Sequence, residues 1–276
     1  MAKETGKEPM TWQSRAASVS TSPPLRNSTS GFARDMTNWD KIDIYGQFIR
    51  RDPIRNGLHY PAVLAELGNP SKTRILDVGC NEGLFPRLLA ACGASVVGYD
   101  AAPERIVEAK QHEDIQRLGI QYHVATPRTF ASAQIFDAAV SVMVLNYAPS
   151  VEELVAFFVS ARRYLVSGGR FISVVLNPSF SAFGEDFIAR RILKLDGKVV
   201  RMEFFDEDRS APKLSAVQHH YTKEKFERAA LRGGMSPQPW KDLFATKAAV
   251  AELGEDFWGR YHRAQPYALF IARKQP

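Results

Sequence analysis

The sequence predicts an α/β fold built on a mostly parallel sheet, and three observations carry that prediction. Ile75, Leu76 and Val78 form a short apolar, β-branched run, the way a buried parallel strand reads. The run closes in Gly79-x-x-x-Gly83, and an amphipathic helix pattern follows with Phe85, Leu88, Leu89 and Cys92 on one side. A second apolar run, Val96-Val97-Gly98-Tyr99, then ends in Asp100. A strand, a glycine turn and a helix place helix-start N–H groups and bare backbone against a nucleotide-like ligand. A carboxylate at the end of the second strand suits both hydroxyls of a ribose.

Two cofactors fit such a pairing. A dinucleotide fold wants Gly-x-Gly-x-x-Gly, but Asn81 and Leu84 stand where that register needs glycine. An S-adenosylmethionine site wants an acid inside the first strand, Gly-x-x-x-Gly, and an acid after the second strand. Asp77, Gly79, Gly83 and Asp100 match this pattern. On these residues the chain resembles the class I S-adenosylmethionine-dependent methyltransferases. The resemblance implies a Rossmann-like seven-stranded sheet, with an N-terminal helical lid and an inserted cap after strand 5. The implied cofactor is S-adenosyl-L-methionine, leaving as S-adenosyl-L-homocysteine.

Composition sets the outer limits. A chain of 276 residues, 45% hydrophobic and 24% charged, is enough for one large domain with a proper core. No run reaches the ~18–20 apolar residues of a membrane span, and the N-terminus lacks a signal-peptide core. Cys80 and Cys92 are the two cysteines, so a disulfide scaffold is excluded and a cytoplasmic location is expected. The net charge of +6 permits nucleic-acid binding. The basic residues are spread out, however, and no Lys/Arg block is interleaved with aromatics, so a solvated basic surface is favoured.

In chain order, residues 1–35 are rich in Ser, Thr, Pro and Arg and read as a disordered or oligomer-contacting tail, with Trp12 as an anchor for a homo-oligomer. Residues 36–70 read as the helical lid, in which Tyr45 and Phe48 offer an aromatic wall to a sulfonium and its acceptor. The core runs over 71–276. Pro103 opens a helix reaching Leu118, and Ile120–Ala125 is a third strand followed by Thr126-Pro127. Phe136–Leu145 is the fourth strand, followed by Asn146-Tyr147-Ala148-Pro149. This loop is not the Asn/Asp-Pro-Pro-aromatic of enzymes that methylate amino nucleobases or glutamine. Val151–Val166 is an amphipathic helix, and Gly168-Gly169 cap it before a fifth strand, Phe171–Leu176. Residues 178–221 break the alternation with Phe180, Phe183, Phe187, an Arg-rich turn and a strand over Lys198–Phe205, and read as the cap. Thr222 caps a further helix, and the tail to Lys274 closes as an antiparallel seventh strand.

Finer motifs are similar to the toxoflavin-synthase-like, teleocidin C-methyltransferase-like branch of natural-product enzymes. They are Asn177-Pro178, His220-Tyr221-Thr222 and Gly254-Glu255-Asp256-Phe257-Trp258 with Pro266. The resemblance implies that Asp77, Gly79, Cys80, Asn81 and Gly83 surround the methionine and ribose. It places Asp100 and Ala101 on ribose and adenine, Thr126 at the adenine edge, and Asn146 closing the site. His219 and His220 are the candidate bases, and Phe180 and Phe183 join Tyr45 and Phe48 as substrate walls. No residues show metal-ligand spacing. The expected activity is methylation of a heteroaromatic or indole-alkaloid or terpenoid-like small molecule, at carbon or nitrogen rather than oxygen. The alternatives are a catalytically silent binding or assembly subunit, and an RNA or protein methyltransferase.

Overall fold

A computed structural model describes residues 34–35, 52–187, 190–205 and 212–275. The tail expected over 1–35, apart from its last two residues, and the first part of the lid, with Tyr45 and Phe48, lie outside the described residues.

The first described helical segment is a π-turn, Arg55–His59, running straight into helix α1, Tyr60–Leu67. Then strand and helix alternate: β1 Arg74–Val78, α2 Leu84–Ala91, β2 Ser95–Asp100, α3 Pro103–Gln116, β3 Gln121–Val124 and β4 Phe136–Val142. Helix α4, Val151–Tyr164, leads into a long strand β5, Leu165–Leu176. Three strands follow, β6 Arg190–Asp196, β7 Val199–Phe205 and β8 Pro212–His219. The chain ends with α5 Lys223–Arg232, β9 Met235–Pro237, α6 Lys247–Leu253, α7 Glu255–Ala264 and β10 Tyr267–Lys274.

The main sheet has the order β9-β10-β5-β4-β1-β2-β3. Strands β1 to β5 are mutually parallel, and β10 enters antiparallel beside β5. Successive side chains of a strand face opposite layers, and the core divides accordingly. Ile75 and Val96 pack with α1, α2 and the second sheet on one side. Leu76, Val78, Val97 and Tyr99 pack with α4 and α5 on the other. Both faces being covered explains why β1, β2 and β4 read as continuous apolar runs.

Two expectations shift. The expected fifth strand from Phe171 begins at Leu165, so Gly168 and Gly169 lie within β5 and not in a turn before it. Pairing with β4 jumps from Phe136–Leu165 to Ala138–Arg170, and the glycines absorb the extra residues as a bulge in which Gly168 has φ +73°. The segment 178–221 is inserted after β5 as expected, and the strand expected over Lys198–Phe205 is β7. The segment holds more strand than expected: an antiparallel sheet of β6, β7 and β8, with Asp186–Phe187 on one edge and Arg34–Asp35 beside β8 on the other. Arg190 and Arg191, read from the sequence as a turn, open β6.

The second sheet is tied to the carboxyl end of the main sheet. Asn146 Nδ2 donates to the His219 carbonyl at 2.8 Å, and Gln218 Nε2 donates to the Tyr147 hydroxyl at 2.9 Å. Ligands of open α/β sheets sit at this edge.

Candidate functional site

The loop between β1 and α2 is folded back on β2. The N–H groups of Gly79 and Cys80 both donate to the Tyr99 carbonyl, at 2.8 and 3.0 Å. Gly79 has φ +73°, and a Cβ there would come within 2.5 Å of Val144, so only glycine lets the loop pass beneath the segment after β4. Cys80 packs against Gly98 and is buried. Asn81 takes the left-handed conformation, φ +51°, which its own side chain supports by accepting the Glu82 N–H at 2.7 Å.

This fold-back holds Asp100 from two sides. Its Oδ2 accepts the Asn81 N–H at 2.9 Å and its Oδ1 the Ala102 N–H at 3.0 Å. Burial pushes the Asp100 carboxyl up, and the N–H groups of Ala102, Asn81 and Ala101, with Arg105, pull it back. At least one lone pair remains for a further donor. The carboxylate faces a cavity of about 420 Å³ lined by Gly79, Asn81, Ala101, Ala125, Phe157 and the segment Val142–Val144, with Tyr147 and Arg55 at its margins.

A smaller recess continues from this cavity past Arg55, Asn81 and Val142 to Asp77. Asp77 is 2% exposed. Burial, and after it the charge of Asp100, raise its pKa from 3.8 to about 8, against the pull of Arg55. Arg55 also bonds the hydroxyl of Tyr60, itself stacked on Phe85 at 4.6 Å. The cavity and the recess beside it share Arg55, Gly79, Asn81 and Val142 as walls, and between them hold a fixed carboxylate, an apolar flank, and the charges of Arg55 and Asp77.

A sequence profile described as a methyltransferase domain matches residues 48–232. The chain belongs to this family. Among its curated relatives is a ubiquinone biosynthesis O-methyltransferase of Cereibacter sphaeroides (strain KD131), 35% identical over 111 residues, which are 40% of this chain and 44% of that protein. Another, from Dinoroseobacter shibae, is 29% identical over 165 residues, 56% of this chain and 65% of that protein. The match thus spans less than two thirds of either relative's length. Among solved structures, a sugar N-methyltransferase from a Streptoalloteichus species superposes with a TM-score of 0.59, at 18% identity, over 92% of this chain and all of that one (100%). An S-adenosylmethionine-bound amino pentose methyltransferase from Micromonospora echinaspora gives 0.57 at 20% identity, over 85% of this chain and 98% of that one. Both share the fold.

In this chain, Asp77, Gly79, Cys80, Asn81, Asp100 and Ala101 all line the cavity or the recess beside it. Gly83 lies just behind it, at the left-handed start of α2 under the Tyr122 hydroxyl. Thr126 does not face the cavity. It is exposed, and its hydroxyl closes a turn with Thr129 at 3.1 Å, leaving Ala125 and Pro127 to form that wall. Asn146, expected to close the site, is fully buried and hydrogen-bonded through both its amide nitrogen and its amide oxygen. It accepts the Leu176 N–H at 2.8 Å while donating to His219, and so acts as a rivet between β5 and β8.

The two histidines also have other work. His220 Nε2 sits 2.7 Å from the Asn177 carbonyl, and its ring meets Phe183 edge-on at 5.3 Å. Asn177 in turn donates to the Gln265 carbonyl at 2.8 Å. The motifs around Asn177, His220 and Pro266 therefore meet in one structural knot. His219 stacks on Tyr221 at 6.0 Å, and neither histidine lines the cavity. Burial lowers the pKa of both. Phe180 and Phe183 pack edge-on at 5.0 Å, with Phe187 against Phe180 at 5.9 Å, in the body of the second sheet and away from the cavity lining. Sequence reading missed Arg55 and Tyr147, which do line it. Tyr147 lies in the loop after β4, where the signal was present. Arg55 lies in a π-turn whose facing is set only by tertiary packing.

Proposed function

We propose that this chain transfers a methyl group from S-adenosyl-L-methionine to an aromatic or heteroaromatic small molecule, at carbon or nitrogen. The observation that carries the reading is the placing of charge in the cavity and the recess beside it: Asp100 in the first, Asp77 in the second, and Arg55 on the wall of both. The donor set fits that cofactor. Asp100, with both oxygens oriented by backbone N–H groups, suits the two ribose hydroxyls. Ala101, Ala125, Pro127 and Phe157 make an apolar flank for the adenine. Arg55 suits the amino-acid carboxylate and Asp77 the ammonium. A dinucleotide fits less well, because its pyrophosphate at the start of α2 would meet the carboxylates of Asp77 and Glu82.

When bound, the cofactor supplies a methyl group already activated on a sulfonium. The chain's part is to hold the acceptor in line at ~3–3.5 Å and to keep water out. Among the described residues no histidine lines the cavity, which favours acceptors that need no early loss of a proton, such as an amine or an electron-rich ring carbon. Tyr147, in the loop after β4 and bonded by Gln218 of the second sheet, borders a cavity of small-molecule size.

The test is transfer of tritiated methyl from the cofactor to a panel of indoles, heteroaromatic amines, phenols and amino sugars, with total RNA and denatured cell protein as competitors. Label in an indole or heteroaromatic amine supports the proposal. Label confined to phenols, sugars, RNA or protein overturns the acceptor class. Cofactor binding with no transfer to any class supports a silent binding subunit.

A further inference from the structure

The buried charges behind the cavity connect it to the second sheet. Asp52, 3% exposed, lies just before the π-turn, where its Oδ1 accepts the Ile54 N–H at 3.1 Å. Its other oxygen pairs with Arg190 Nη2 and faces Arg55 Nε at 3.9 Å. Arg190 opens β6 and is 2% exposed. It donates from Nη1 to the Tyr267 hydroxyl at 3.0 Å, and its guanidinium lies over Phe204 at 5.3 Å. Arg190 is therefore fixed on three sides, and Asp52 is fixed between Arg190 and its own backbone turn.

Arg190 and Arg55 both face the carboxylate of Asp52. His59 packs edge-on against Tyr267 at 4.6 Å and, pushed toward neutrality by burial and by both arginines, adds no charge. Arg55 is the member of the cluster that lines the cavity, where its guanidinium suits an anionic group.

We propose that Arg190 is a positioning residue: through Asp52 it fixes Arg55 at the cavity wall, so that the second sheet sets the affinity for the cofactor's amino-acid carboxylate. The inference rests on the cofactor reading given above. It assigns Asp52 and Arg190 a role that an ordinary structural ion pair lacks, because their effect falls on one part of the ligand only.

Two ligands separate these roles. S-adenosylhomocysteine carries the carboxylate, and 5′-methylthioadenosine has the same nucleoside without it. Calorimetric titration of both into wild type, Asp52→Asn and the double variant Asp52→Asn/Arg190→Met is the experiment, with thermal melts confirming the fold. The double variant removes both buried charges, so it remains testable where Asp52→Asn alone leaves Arg190 unpaired and fails to fold. The expected result is about tenfold weaker S-adenosylhomocysteine binding in the variants, the scale of one misaligned charged contact, with methylthioadenosine within about twofold of wild type. Equal weakening of both ligands, or no weakening of either, overturns the proposal. A wild-type chain that binds neither ligand overturns the cofactor reading, and a wild-type chain that binds both equally shows that Arg55 holds no carboxylate.

Discussion

Asp77 offers a prediction whose magnitude comes directly from its surroundings. Burial, with Asp100 nearby, raises its pKa from 3.8 to about 8. At pH 7 about nine in ten unliganded molecules then carry a protonated Asp77. An ammonium seated beside it reverses the balance, since an opposite charge within a few ångströms favours the ionised form. Binding of S-adenosylhomocysteine at pH 7 should therefore release about 0.9 proton per site, falling to about 0.1 at pH 9. Calorimetry in two buffers of different ionisation enthalpy measures the number directly. Asp77→Asn should release almost none. Wild-type binding without proton release at pH 7, or an undiminished release from Asp77→Asn, would refute the reasoning. The same shift bears on stability, with a definite sign. The folded state holds a proton that the unfolded state gives up between pH 4 and 8, so this contribution is complete below about pH 4 and lost as pH rises through 8. The unliganded protein should lose up to about 1.4 kcal/mol per pH unit in that window through this group, and Asp77→Asn should flatten the slope.

Other consequences are simpler. Asn146→Ala strands the Leu176 N–H and the His219 carbonyl, so denaturant melts should show a loss of about 2–5 kcal/mol while the S-adenosylhomocysteine affinity of the folded fraction stays within about twofold. Gly83→Ala puts a Cβ against the Tyr122 hydroxyl at a φ of +78°, and should cost about 1–3 kcal/mol by the same measurement. Cys80, whose thiol is pushed well up by burial, should resist iodoacetamide at pH 8 in the native protein and react only on unfolding.

The sheet was legible because its central strands are covered on both faces, and Ile75–Val78, Val96–Tyr99 and Phe136–Val142 have no choice but to be apolar. Asp77 and Asp100 were legible for the opposite reason: a carboxylate inside or just after such a run has to be there for a ligand or a turn. The second sheet was legible only in its middle strand, expected over Lys198–Phe205 and found at Val199–Phe205. Arg190 and Arg191 broke the apolar run and resembled a turn, although Arg190 opens a strand with its charge paired in the interior. His219 and His220 look catalytic by residue type, yet in a chain that reverses between two sheets they serve as stacking and hydrogen-bonding groups. Thr126 and Asn146 failed for a shared reason. Short polar side chains beside a loop are taken up by local backbone, and a sequence does not reveal whether the partner is a ligand or the next N–H.

The central claim is that Asp100 holds the ribose of an S-adenosyl cofactor. Calorimetric titration of S-adenosylhomocysteine into wild type and Asp100→Ala, with NAD as control, tests it most directly. The account predicts micromolar binding to wild type, a loss of ~1–3 kcal/mol in the variant, and no heat from NAD. Binding indifferent to Asp100, or NAD preferred over S-adenosylhomocysteine, would contradict it.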